Sequence, residues 1–192
     1  GKTANAEESC YQNTNNEMLD RDFQLESYVP LFEHKIPLKA HAHRADDIFT
    51  AIRIAKEFDV DLTLDHCTEG HLIAEEIAES GFPAIVGPGL ASRSKDELKW
   101  MDFKTAGILQ KAGVMVALTM DHPVSRIQHL LISASIASCE GMGEYGAMRI
   151  TIDAAKICRV DNRLGSLSVG KDADLVIYEG CPLDVASKVV YT

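Results

Sequence analysis

The sequence predicts an α/β fold built on parallel strands, on three grounds. Short apolar runs alternate with segments whose apolar residues recur at three- and four-residue steps. The runs have strand length and are continuous rather than alternating, as in strands buried on both faces. Their strict alternation with helices implies parallel strands joined by right-handed crossovers. Four such units fit into 192 residues. A closed eight-stranded barrel takes about 250 residues, so four units are half of one.

The elements follow in order. Residues 1–22 are polar and have few apolar anchors, which suits a leader or loop. A helix is expected over 23–32, with Leu25, Val29 and Phe32 at helical spacing. The first strand is expected over 36–42. A helix over 47–58 follows, with Ile48, Ala51, Ile52, Ala55 and Phe58 on one face. Residues 60–64, 83–86 and 114–119 read as the next three strands, and 72–78 and 105–112 as the helices between them. Gly81 and Gly113 close those two helices. Two further helices are expected over 127–138 and 145–158. The stretch 165–178 breaks the rhythm, with two strand patterns around a Gly-Lys-Asp turn, and belongs to a small β-element.

Composition excludes several classes of function. The formal net charge is −10, and no cluster of Lys and Arg offers phosphate contacts, so nucleic acid and anionic membranes are not expected partners. No apolar run approaches the roughly 20 residues that span a bilayer. The N-terminus is polar and acidic rather than basic then apolar, so the chain reads as cytoplasmic. The five cysteines are odd in number, widely spaced and free of any CxxC pair, which favours free thiols over a disulfide framework or zinc knuckle. Gly87-Pro88-Gly89 lacks the Gly-Lys continuation of a phosphate loop, which weakens a flavodoxin-like phosphate-binding reading. No nucleophile elbow surrounds Ser92 or Ser94.

The informative polar residues fall at strand ends. His41 stands at the end of the first expected strand, His66 at the end of the second and Asp121 at the end of the fourth. The carboxyl edge of a parallel sheet is where sites form. One histidine there is more often a hydrogen-bonded structural residue, and one aspartate more often a helix cap. Three together favour a site. Imidazole and carboxylate are ligands for zinc and similar divalent metals, and a carboxylate near activated water can take its proton. Cys67 follows His66 and should point the opposite way, into packing. Glu69 and His71 read as a solvated loop carboxylate and an exposed or capping histidine, and His34 and His129 as surface or packing residues.

Segments 37–47, 65–70 and 119–124, and above all the tail Gly-Ser-Leu-x-x-Gly-Lys-Asp-Ala-Asp-Leu-Val over 165–176, resemble the amidohydrolase superfamily. The imidazolonepropionase-like branch is the nearest match. The resemblance implies the C-terminal half of a (β/α)8 TIM barrel, strands five to eight, over 23–160, with part of a small β-sandwich domain over 161–192. It implies a divalent metal, zinc foremost, held by His41, His66 and Asp121, with Asp121 also the catalytic acid/base. His43, His122 and Arg93 become substrate contacts, Arg93 from the loop 87–95 overhanging the site. The implied reaction is hydrolysis of a C–N bond in a small amide or cyclic amide.

Two features of the family pattern are missing. No first-strand His-x-His precedes Phe23, and no fourth-strand Lys or Glu is found. His41-Ala42-His43 has the His-x-His spacing, but its downstream context matches the fifth strand. Half a barrel exposes two sheet edges, so a homo-oligomer or pairing with a missing N-terminal half is expected. Alone, the chain should bind metal weakly and be nearly inactive. The competing reading is a non-catalytic truncated barrel, a structural or interaction module without metal.

Overall fold

The computed structural model describes residues 22–192, so the polar stretch expected as a leader lies outside them apart from Asp22. Asp22 caps the first helix, α1 (Phe23–Glu26), its carboxylate accepting from the Gln24 and Leu25 amides. The single helix expected over 23–32 is two: α1 and α2 (Val29–Phe32). Pro30 explains the break. A continuous helix would press its ring on the Glu26 carbonyl and lack its N–H.

The strand–helix alternation then runs as expected. It comprises β1 (Leu38–Ala42), α3 (Ala45–Glu57), β2 (Leu62–His66), α4 (Ala74–Ser80), β3 (Ala84–Val86), α5 (Lys104–Ala112) and β4 (Val116–Leu118). All four strands are parallel, in the order β1-β2-β3-β4. Leu38 pairs with Leu62 and Ala42 with His66 across the first pair, and Val86 aligns with His66 on one side and Leu118 on the other. This register brings the carboxyl ends of the strands together.

One face of the sheet carries the core. Leu62, Leu64, Ala84 and Val116 pack with Ile48 and Ile52 of α3, Ile77 of α4 and Leu109 of α5. Ile48, Leu62, Leu64, Ile77 and Leu109 are fully buried, each contributing roughly 1.5–3 kcal/mol through its burial. The opposite face differs from the expectation of two apolar faces. Lys39 and His41 of β1 are exposed there, and the Lys39 ammonium lies 3.0 Å from the Asp65 carboxylate. The physical reason is position. β1 is an edge strand among the described residues, and its outward side chains pair with polar groups of β2 instead of a second apolar layer.

After β4 come α6 (Leu130–Ala137), a π-helical turn Ser138–Met142, α7 (Glu144–Met148) and α8 (Ile150–Ile157), which packs against β4. At the amino ends of the strands, Arg159 donates to the His34 carbonyl and to Asp61. That guanidinium holds the Asp61 carboxyl below the usual carboxylate range. Beyond α8, Arg163 pairs with Asp172 at 2.5 Å. The hairpin expected around Gly170-Lys171-Asp172 is absent. Leu167 and Val169 stay exposed, with no partner strand to cover them. The antiparallel pair is instead β5 (Ile177–Glu179) and β6 (Lys188–Tyr191). Leu183, between them, packs against the core, and its carbonyl accepts from Ser135. Among the described residues no helix is long and apolar enough to cross a membrane.

Candidate functional site

The site lies where the carboxyl ends of β1 and β2 meet. Their pairing continues beyond the strands: the Cys67 amide donates to the Ala42 carbonyl at 3.0 Å and the Glu69 amide to the His43 carbonyl at 2.8 Å. His66 and Cys67 both have positive φ, +76° and +49°. This turn at the strand end leaves His66 on the cavity wall and sends Cys67 into the core, where its thiol is pushed up to about 12 by burial. Cys67 is therefore a packing residue. Glu69 reaches across to cap α3, its carboxylate accepting from the Ala45 amide at 2.9 Å. It is half-buried and bound to that helix, which lacks a side-chain cap from its own N-cap residue. His71 likewise is partnered, its Nδ1 3.0 Å from the Thr105 hydroxyl.

His41, His43 and His66 form one cluster. A ring nitrogen from each lies within 4.8 Å of the others. The ring centroids are 4.2 Å apart for His41 and His66, 4.7 Å for His41 and His43, and 4.8 Å for His43 and His66. His41 is exposed, whereas His43 and His66 are each 7% exposed. The hydrogen bonds fix which nitrogens are available. His66 Nδ1 lies 2.7 Å from the Gly87 carbonyl, which can only accept, so Nδ1 carries the proton and Nε2 of the neutral ring keeps its lone pair. His43 Nδ1 lies 2.7 Å from the Thr68 hydroxyl, which leaves its Nε2 to face the cluster and Glu97, 3.9 Å away. These donors suit a borderline-soft divalent metal, and the carbonyl and hydroxyl partners behind the His66 and His43 rings are what ligating histidines need.

The other residues expected at the site are more dispersed. Asp121 stands outside the cluster but on the wall of the same cavity, exposed, with φ +48° and its amide bonded to Thr119 Oγ1 at 3.0 Å. His122 is exposed and does not line the cavity. Nor does Arg93, whose guanidinium donates to the Met101 carbonyl at 2.6 Å. The structure thus adds His43 to His41 and His66 in the cluster, with Asp121 on the wall of the same cavity. The His-x-His spacing carries the signal for His43: residues two apart on a strand share a face, so His41 and His43 point the same way. Thr68 and Gly87, which orient the rings, had no signal short of the fold.

Burial drives His43 from its ordinary 6.5 to about 4, helped by the neighbouring His66 and His41 and opposed by Glu97. It is therefore neutral at pH 7. The unfolded chain takes up this proton below about pH 6.5, and the folded chain only near pH 4. Stability of the metal-free protein should fall across that window by on the order of 2 kcal/mol. Urea unfolding at pH 7 and pH 4.5 measures it, with His43→Gln as the reference. Equal pH slopes in the two proteins would show that His43 is not the source.

A parallel α/β sheet with its cavity at the carboxyl ends of the strands defines the class, and sequence relationship gives the family. The chain belongs to the amidohydrolase family, whose model matches residues 32–192. The structure of an amidohydrolase from Thermotoga maritima MSB8 superposes with a TM-score of 0.86 at 42% identity, over 93% of this chain and 47% of that one. A Xaa-Pro dipeptidase with methionine bound in its active site superposes with a TM-score of 0.63. At 22% identity, over 83% of this chain and 42% of its own, that likeness is one of fold alone. Amidohydrolase tasK of Hapsidospora irregularis is 23% identical over 179 residues, 91% of this chain and 18% of that protein. The chain spans less than half the length of these relatives.

Proposed function

We propose that this chain supplies the C-terminal half of the catalytic barrel of a metal-dependent hydrolase that cleaves a C–N bond in an amide or cyclic amide. The observation that carries the reading is the cluster of three histidines with ring nitrogens within 4.8 Å. The parallel order β1-β2-β3-β4, read as barrel strands five to eight, supports the half-barrel over 23–160. The antiparallel β5–β6 pair supports a small β-domain over 161–192.

His41 and His66 would hold the metal, with His43 offering a third nitrogen. Zinc fits three imidazoles best, with a further position left to water or substrate. Bound there, a metal supplies Lewis acidity, polarising the amide carbonyl and lowering the pKa of water. The chain's own residues do the rest. Gly87 and Thr68 hold the His66 and His43 rings in place. Asp121 takes the proton of the attacking water as its oxygen bonds to the carbonyl carbon, then gives it to the nitrogen as the C–N bond breaks. His122 and Arg93 would reach substrate only after a shift of their loops. Full turnover would need the open edges of the sheet covered, by a second copy or by an N-terminal half.

Zinc titration of chelator-stripped chain tests the reading. It should saturate near one equivalent, with the isolated chain nearly inactive. No saturable binding of zinc, manganese or nickel would favour the alternative, a structural or interaction module without metal. Turnover matching full-length relatives would refute the need for a partner.

A further inference from the structure

We infer that the cavity beside the histidines selects amides with an uncharged apolar arm, and that Phe103, seated against Gly89, sets how large that arm can be. The inference deepens the hydrolase reading and rests on it for the amide group.

The cavity has a volume of about 360 Å³. Its reactive end holds the three histidines and Asp121, all from strand ends. The remaining wall is largely apolar, including Val86, Leu98, Met101, Phe103, Leu118 and Val124. Ala106 of α5 and Ala137 of α6 also line it, although they are only 2% and 3% exposed. The cavity therefore reaches inward to the seam between those helices. A pocket of this kind gains affinity from each methylene it removes from water.

Its charges argue against an anionic arm. Apart from the histidines, the charged lining residues are Lys95, Asp102 and Asp121. The Lys95 ammonium is exposed and lies 3.2 Å from Glu97. Asp102 is used by the protein, its carboxylate accepting from the Lys104 amide at the start of α5. Arg93, the other cation of the overhanging loop, donates to the Met101 carbonyl outside the lining. A substrate carboxylate in the apolar part would meet no unengaged cation, with Asp102 as the acidic group on that wall, and burying it unpaired is costly.

Gly89 and Phe103 make the size filter. A Cβ at residue 89 would stand 2.6 Å from Phe103 Cε1 and 2.8 Å from Cδ1, closer than carbon atoms approach. Glycine there lets the ring lie against the loop backbone. The ring then forms part of the cavity wall, and its volume is denied to the ligand.

The test is equilibrium binding of simple amides to the chelator-stripped chain by ligand-observed NMR titration. From propanamide to hexanamide, affinity should rise about three- to fourfold per methylene. Succinamate should bind at least tenfold more weakly than pentanamide. The wild-type chain should prefer 3-phenylpropanamide to 3,3-diphenylpropanamide, and Phe103→Ala should invert that order. Phe103→Leu, with a smaller change of volume, should narrow the preference, and it carries the comparison should the alanine variant fail to fold. A flat series, or succinamate binding as tightly as pentanamide, would overturn the apolar selection. An unchanged order in both variants would overturn the role of Phe103. No metal is present in this assay, so a failed zinc titration would sink the hydrolase reading without altering these outcomes.

Discussion

Replacing His66 by alanine should lower the zinc affinity of the chain at least 100-fold, about 2.8 kcal/mol, in a competition assay against a chromogenic chelator. His66 is the best-prepared donor of the cluster. It is 7% exposed, and its Nδ1–H is held by the Gly87 carbonyl, so Nε2 is the ligand atom and the ring needs no reorientation to bind. Loss of a partner behind a ligating histidine costs about 10–100-fold in metal affinity, so loss of the ligand itself should cost more. His41→Ala should also weaken binding, but less, because His41 is exposed and its nitrogen acts in a more water-like environment. His129→Ala is the control: this histidine is exposed, stands outside the cluster and should change nothing. Retention of wild-type affinity within threefold by His66→Ala would remove the metal from the proposal.

The sequence carried the sheet well and the site incompletely. β2 to β4 are legible because buried strands need continuous apolar runs, and Leu62 and Leu64 sit where that logic puts them, whereas β1 is legible from its one apolar face, Leu38, Ala40 and Ala42. Boundaries slipped at residues whose surroundings the sequence does not reveal. Ile36 extends the apolar run ahead of β1, yet it is 48% exposed and β1 begins at Leu38. The hairpin at Gly170 was misplaced because strand pattern without a covering layer has no force, and Val169 is fully exposed. At the candidate site, the carboxyl strand ends are a topological address, and they place His41, His66 and Asp121 on the wall of one cavity. His43 reads as a substrate contact because the residue past a strand end reads as loop, whereas the pairing of its carbonyl with the Glu69 amide carries the strand geometry further and brings its ring into the histidine cluster. Glu69 could not be read as the cap of α3, since the two lie 24 residues apart and meet only once β1 and β2 pair.

Gly87→Ala should destabilise the protein by about 3–5 kcal/mol, because two penalties fall on one methyl group. Gly87 has φ +127°, a conformation that residues with a side chain rarely adopt, and a Cβ there would stand 2.3 Å from the Thr119 carbonyl oxygen. That oxygen is backbone and cannot rotate aside, since the Thr119 amide is held by the Val86 carbonyl at 2.9 Å. Relief would require β3 and β4 to splay at their carboxyl ends. In a domain of this size, such a loss lowers the thermal midpoint by roughly 10 °C. Gly81→Ala separates the two penalties. Gly81 also has positive φ, +77°, but nothing lies within 4 Å of its added methyl, so only about 1 kcal/mol of strain is expected. Urea unfolding of both variants makes the comparison, and equal losses would mean that the contact with Thr119 does not constrain the loop. The same substitution bears on chemistry. Displacing Gly87 moves the carbonyl that fixes the His66 tautomer, and displacing Thr119 moves the hydroxyl bonded to the Asp121 amide. Any Gly87→Ala protein that remains folded should therefore also bind zinc about 10-fold more weakly, linking the tightest backbone approach beside the cavity to the two residues assigned the metal and the proton.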